Sequence, residues 1–572
     1  MRRNIIRSLS CLLILTILTG CNVNVAADGT GGSNSYIPHT VTEGSFPMYY
    51  KNISDKSDIT LYFVDEIDIP YISLDDVLAL LNRTNKDENL YELEYKDTDH
   101  AVITRKNTSF DADLDFAEDV ITFFDYDAFL QIEGCPYIDV FEAENQDVIG
   151  ALFKQRYSND RYGRVMSFDL REYEIDMIKD GDGWYMPLQT FSDIFLSHYG
   201  AFSLFNNECL IIAEGSLDED LSAEYYSASG DISEELAKFS YDELCFALDH
   251  FYGLKDIHDI NSFDEYFFEV GIRKALMSTD PVKSDEALVK LINHGFDDLH
   301  SNYVAPSYST DQDAFNEVFP EPGPWTAKFR KSIYSFERAR DEAYPEGVPP
   351  YEEIGNTAYI TFDKFIEPDP TIDYLSDPKE EELEDTIRLM QYACDRIQRT
   401  DSPIENVVMD LSNNTGGLAD TAAYVIATFL GRGETNTIDT LTGAKTTIQY
   451  VIDTNRDGKF DDQDTLAEKG YNLYCLTSPV SFSCGNLVPN VFATSPYVTL
   501  IGQTSGGGSC SISSFSTARG SVINISGNYR LSLFKNGSFY DIDRGADPDI
   551  YIAKIADFYD RESLTRFVNE IY

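Results

Sequence analysis

From Thr357 onward the sequence alternates two kinds of segment, and this alternation restricts the fold more than any other feature. Short apolar runs, "TAYITFDKF", "IENVVMDLS", "YNLYCLTSP" and "YVTLIGQTS", read as strands. Between them, "EELEDTIRLMQYACDRIQR", "ADTAAYVIATFLG" and "GNLVPNVFA" read as helices. Such alternation predicts an α/β domain with a largely parallel sheet and flanking helices.

The residues before it differ. "SEELAKFSYDELCFALDHFYGL" and "DEALVKLINHGFDDLH" have helical periodicity and acidic first turns, so 220–330 is expected to be a helical subdomain. Further upstream, "YISLDDVLALL" from Tyr71 and "YMPLQTFSDIF" from Tyr185 read alike, each a strand end followed by a short helix. Strand-like pieces follow them, "HAVITRK" and "ECLIIAE". Residues 46–215 are therefore expected to form a small duplicated strand–helix–strand module of α+β type. It resembles the repeat at the N-terminus of copper amine oxidases and of many bacterial surface proteins, but without a metal-ligand cluster, which implies a stalk or binding module.

The N-terminus reads as a targeting segment. Arg2, Arg3 and Arg7 precede the apolar "LSCLLILTILTG", which is too short to remain as a span. The run ends in "LTGC", which resembles a bacterial lipobox with Cys21 as the lipidated residue. Cleavage as an ordinary signal peptide, or retention as a short anchor helix, are the other fates open to it. On the lipobox reading, 1–20 is the signal peptide, 21–45 is a flexible tether, and the protein sits on the extracytoplasmic face of a bacterial membrane.

Charge narrows the partners. With 98 acidic and 44 basic residues the formal net charge is −54, which repels a phosphate backbone and argues against nucleic acid. Nine dispersed cysteines contain no CxxC pair, which argues against a structural zinc site and leaves room for one or two bridges at most.

Three segments could carry chemistry. "VVMDLSNNTGGLAD" ends a buried strand in a loop where Gly416 and Gly417 allow a sharp turn and expose N–H groups suited to an anion. "SPVSFSCGNLVPN" places Ser483 at a strand-to-helix turn. Helix N-caps are the other role open to Ser481 and Ser483, and Cys484 is a second nucleophile by residue type. A serine nucleophile needs a base, and His300 in "GFDDLHSNYV" stands where a helix gives way to a strand. A surface histidine in an acidic turn is the alternative.

Together these segments resemble the S41 peptidase family, which includes the C-terminal processing and tricorn-type proteases. "DDLHS", "TAYITFDKF", "MDLSNNTGG", "SFSCGN" with "LIGQTSGGG", and "DRGADPDI" match its motifs in order. The likeness covers residues 230–572 and implies an S41-type core over 331–572. One branch of the family uses a serine–lysine dyad, but no lysine lies between Ser483 and Lys535. The resemblance therefore implies a serine–histidine–acid peptidase: Ser483 attacks, His300 is the base, and Asp543 is the acid with Asp541 as second choice. Cys484 and either Gly416 or Gly417 would supply oxyanion N–H groups. Ser412 stands where the family has arginine. An imidazole base predicts activity that falls below about pH 6.5. The implied substrate is a peptide or protein, and catalysis needs no cofactor. An S41-fold envelope binding or scaffold protein without turnover is the competing class.

"DTNRDGKFDDQD" reads separately as a calcium loop of EF-hand or dockerin type. Asp453, Asn455, Asp457, Asp461 and Asp464 fall at ligand positions, with Lys459 offering its carbonyl and Gly458 making the turn. An acidic hairpin tip is the alternative. Calcium here is expected to be structural.

Overall fold

The computed structural model describes residues 39–106, 108, 110–130, 152–315, 321–369, 371–535 and 538–571. The signal segment, Cys21, most of the expected tether and Cys135 lie outside them. From Thr40 onward the chain forms one compact unit. No helix among the described residues is long and apolar enough to cross a membrane.

The architecture is α/β. A six-stranded sheet runs in the order Tyr351–Ile354, Thr357–Thr361, Asn406–Asp410, Asn472–Thr477, Val498–Gly502, Ile550–Tyr551. Only the first pairing is antiparallel. The central strands are near-continuous apolar runs because both faces are covered. Alternate residues sort to opposite sides. Ala358, Ile360, Val407, Met409, Leu473 and Cys475 share a core with helices Thr386–Ile397, Ala419–Leu430 and Cys484–Phe492. Tyr359, Val408, Tyr474 and Leu476 share another with helices Pro324–Ala343 and Arg561–Ile571.

A second sheet, of seven strands, closes the long sequence gap between the candidate residues. Asn302–Ala305 pairs antiparallel with Val522–Lys535, placing Asn302 opposite Asn524. Val522–Lys535 also pairs with Cys510–Ser516, with Gly433–Asp439 and with Ser538–Asp541. Phe153–Arg161, from the expected N-terminal module, joins at the far edge against Lys445–Ile452.

The duplicated pieces adjoin each other: Tyr71–Ser73 pairs antiparallel with Gly183–Pro187 in a seven-stranded N-terminal sheet. Their third strands part company. His100–Arg105 belongs to a separate five-stranded sheet, whereas Leu210–Glu214 returns to the first. The repeated unit is thus a strand–helix pair rather than strand–helix–strand. One apolar cluster extends from Met48 through helix Glu234–Phe251 to Ile523 and Ile525, so neither the 215/220 nor the 330/331 boundary separates independent cores.

Candidate active site

The candidate site lies at the C-terminal ends of the parallel strands, where loops in α/β sheets gather functional groups. Strand Asn472–Thr477 leads through a tight turn into helix Cys484–Phe492, and Ser483 stands at the junction with φ +56° and ψ −123°. A non-glycine residue there costs about 1–3 kcal/mol and persists only where its surroundings impose it. They do so through backbone bonds. Ser483 N–H donates to Gly507 carbonyl at 2.9 Å, Phe482 N–H to Asn414 carbonyl at 3.0 Å, and Gly485 N–H to Phe482 carbonyl at 2.8 Å.

Ser483 occupies the N-cap position but its hydroxyl makes no capping bond. Ser481 serves the turn instead, its Oγ donating to Leu411 carbonyl at 2.7 Å and accepting from Ser478 N–H at 2.9 Å. Burial pushes the Cys484 thiol up to about 12, which keeps it protonated and poorly nucleophilic.

Gly416 and Gly417 pack beside the turn, at φ +107° and +130°. A Cβ on Gly416 would lie 2.6 Å from Ser483 Cβ, so no side chain fits. Asn414, fully buried, ties this loop down: its Oδ1 accepts from Gly416 N–H at 2.9 Å and its Nδ2 donates to Phe362 carbonyl at 3.1 Å. Gly416 N–H is therefore committed, against the expectation that either glycine could serve as an oxyanion donor. Gly417 N–H and Cys484 N–H, the latter at the first helical position, find no acceptor among the described residues.

His300 is brought in by the second sheet. Asp298 shapes its turn, accepting from His300 N–H at 3.0 Å, Ser301 N–H at 2.7 Å, Tyr252 Oη at 3.0 Å and Ser526 Oγ at 2.9 Å. Asp297 instead caps helix Pro324–Ala343 through Trp325 N–H and Thr326 N–H. The His300 ring packs on Phe482, centroids 4.9 Å apart, next to Ser483. His300, Ser483, Cys484 and Gly417 line one cavity of about 290 Å³. Burial lowers the imidazole pKa, opposed by the charges of Asp298 and Asp543, so the ring is neutral at neutral pH.

The two candidate acids separate. The strand ends at Asp541, whose carboxylate pairs with Arg530. Asp543 lies beyond it, accepts from Ser509 N–H at 3.0 Å, and lines a second cavity together with His300. The two aspartates therefore do not share one strand face, as the spacing alone suggested.

Several supporting residues escape sequence reading. Arg561, on the C-terminal helix, forms a buried ion pair with Asp410 at 2.6 Å, and Tyr559 accepts from Asn413 Nδ2 at 2.6 Å and bonds Ser412 Oγ at 3.1 Å. The loop that lacks the family arginine at Ser412 is thus held from the C-terminus. Only the odd placement of Arg561 in an apolar helix face hints at this. The cysteines Cys209, Cys245, Cys394, Cys475, Cys484 and Cys510 are buried and free.

The expected calcium loop forms its turn. Gly458 takes φ +77° and donates its N–H to Asp453 Oδ2 at 2.8 Å, while Asp464 accepts from Thr454 N–H at 2.9 Å and Asp461 N–H at 3.0 Å. Asn455 accepts from Asp457 N–H, and Lys459 Nζ pairs with Asp457 at 2.6 Å. Among the described residues no three His, Cys, Asp or Glu side chains converge as a metal site. The turn fits a calcium loop, whereas its carboxylates are turned onto their own backbone.

A strained serine at a strand-to-helix turn, a buried neutral histidine and two N–H groups without an acceptor among the described residues surround one cavity, an arrangement that can support nucleophilic hydrolysis. Residues 356–552 match the model of peptidase family S41. Solved structures are similar at low identity. A protein from Parabacteroides merdae ATCC 43184, described as a candidate peptidase, matches at 15% identity over 59% of this chain and 96% of its own, with TM-score 0.41. A lipoprotein from Streptococcus agalactiae matches at 15% identity over 59% and 97%, with TM-score 0.34. Mature CPAF matches at 12% identity over 59% and 96%, with TM-score 0.36. No curated protein matches.

Proposed function

We propose that the protein is a lipid-anchored, extracytoplasmic endopeptidase that cleaves peptide bonds through Ser483, His300 and Asp543. One observation carries the reading: the Ser483 hydroxyl, held on a strained backbone and free of capping, opens onto the same cavity as the His300 ring. His300 removes the hydroxyl proton as Ser483 attacks the carbonyl, and returns it to the leaving amine. Asp543 offsets the charge that develops on the ring. Gly417 and Cys484 N–H groups receive the oxyanion, each such donor being worth about 3–4 kcal/mol in serine proteases. Water then releases the acyl group.

A fluorophosphonate probe tests the reading. Labelling of the wild type that disappears in Ser483→Ala and in His300→Ala supports it. A wild type that is not labelled, though folded, indicates a binding or scaffold protein instead. We propose in addition that Cys21 carries the lipid, and that the loop from Asp453 to Asp464 binds calcium structurally through Asp453, Asn455, Asp457, Asp461, Asp464 and the Lys459 carbonyl.

A further inference from the structure

The His300 ring borders two cavities. The smaller contains Ser483; the larger, of about 650 Å³, contains Asp543 but not Ser483. Phe296, Trp325, Phe329 and Phe482 wall the larger one. Trp325 stacks on Phe329 with centroids 5.8 Å apart, and Phe482 meets them at 6.0 and 5.6 Å. Trp325, Lys328 and Phe329 stand three and four apart on helix Pro324–Ala343 and so share a face.

The charges on this wall divide by sign. Its acids are engaged internally: Asp297 by helix N–H groups, Asp298 by the His300 turn, Asp543 by Ser509. Its cations, Lys328 and Arg544, are exposed, and neither has an ion-pair or hydrogen-bond partner for its side chain among the described residues. In a chain with 98 acidic residues against 44 basic ones, two cationic side chains thus stand without an acidic partner beside one aromatic cavity.

Chemistry assigns the cavity a side. The base that accepts the serine proton hands it to the leaving amine, so leaving-side residues lie next to the imidazole. We infer that this cavity receives a large aromatic or apolar residue immediately after the scissile bond, with an acidic side chain next to it facing Lys328 and Arg544. The inference rests on the peptidase reading and names its substrate class: peptides cut before an aromatic–acidic pair.

Binding to the Ser483→Ala variant tests it without requiring turnover. Fluorescein-labelled peptides that differ only in carrying Phe-Glu, Phe-Lys or Ala-Glu after the central bond are titrated by anisotropy. Phe-Glu is expected to bind about tenfold more tightly than either of the others. In Lys328→Glu/Arg544→Glu on the same background, the order of Phe-Glu and Phe-Lys is expected to reverse. Equal affinities, or a preference the double variant leaves unchanged, overturn the inference. A wild type inert to fluorophosphonate while this pattern holds would count against catalysis alone. Labelling without the pattern would count against the cavity assignment alone.

Discussion

His300 sets the pH behaviour of the site. Its burial disfavours the imidazolium, so the base-competent neutral form survives to lower pH than in a free imidazole. The acid limb of kcat/KM is expected below the pH 6.5 predicted from an unperturbed ring. Asp543→Asn removes a charge that raises this pKa, and should move the limb lower still while reducing kcat. A limb at or above pH 6.5, or one that rises in Asp543→Asn, contradicts this electrostatic account. His300, Ser483, Cys484 and Gly417, which line one cavity, could be singled out from sequence because each sits in a short local motif whose turn chemistry travels with it. The difference between Gly416 and Gly417 was not, because it depends on where the Asn414 side chain points. The difference between Asp541 and Asp543 depends on where a strand stops, which a spacing of two residues does not reveal.

At the level of elements, the parallel sheet was readable because full burial writes itself as unbroken apolar runs. The N-terminal repeat was readable as strand plus helix, but its third strand was not. Pairing partners, rather than local propensity, send His100–Arg105 and Leu210–Glu214 to different sheets. The loop from Asp453 to Asp464 is an element of its own. Arg456 ties it to helix Thr386–Ile397 through Asp395 at 2.7 Å, so ordering the loop should stabilise its surroundings. Calcium at a hundredfold excess over Kd would add about 2.7 kcal/mol. The melting temperature is expected to rise with calcium over EGTA in the wild type and not in Asp453→Ala. Equal melting temperatures in the two buffers would remove calcium from the account.

Across the whole molecule, the N-terminal half is built into the half that holds the candidate site. Phe153–Arg161 completes a sheet whose other members begin at Asn302. Asp127, half-buried, and Asp439, buried, share the Thr442 hydroxyl, and Tyr529, on the wall of the Ser483 cavity, reaches Asp127 and His198 through its Oη. No periodicity encodes such long-range pairs, which is why boundaries drawn from composition cut through shared cores. Location is the other property at this scale. Cys21→Ser is expected to shift the full chain from the detergent phase to the aqueous phase in Triton X-114 partitioning. Identical partitioning of the two proteins would refute lipidation at that residue. Gly507 has a consequence for the spacing of the site. Its carbonyl holds the Ser483 amide, while a Cβ on it would come within 2.0 Å of the Asp543 carbonyl. Bare peptide thus acts as the spacer between the backbones of the proposed nucleophile and acid, so any side chain placed at Gly507 would wedge those two segments apart.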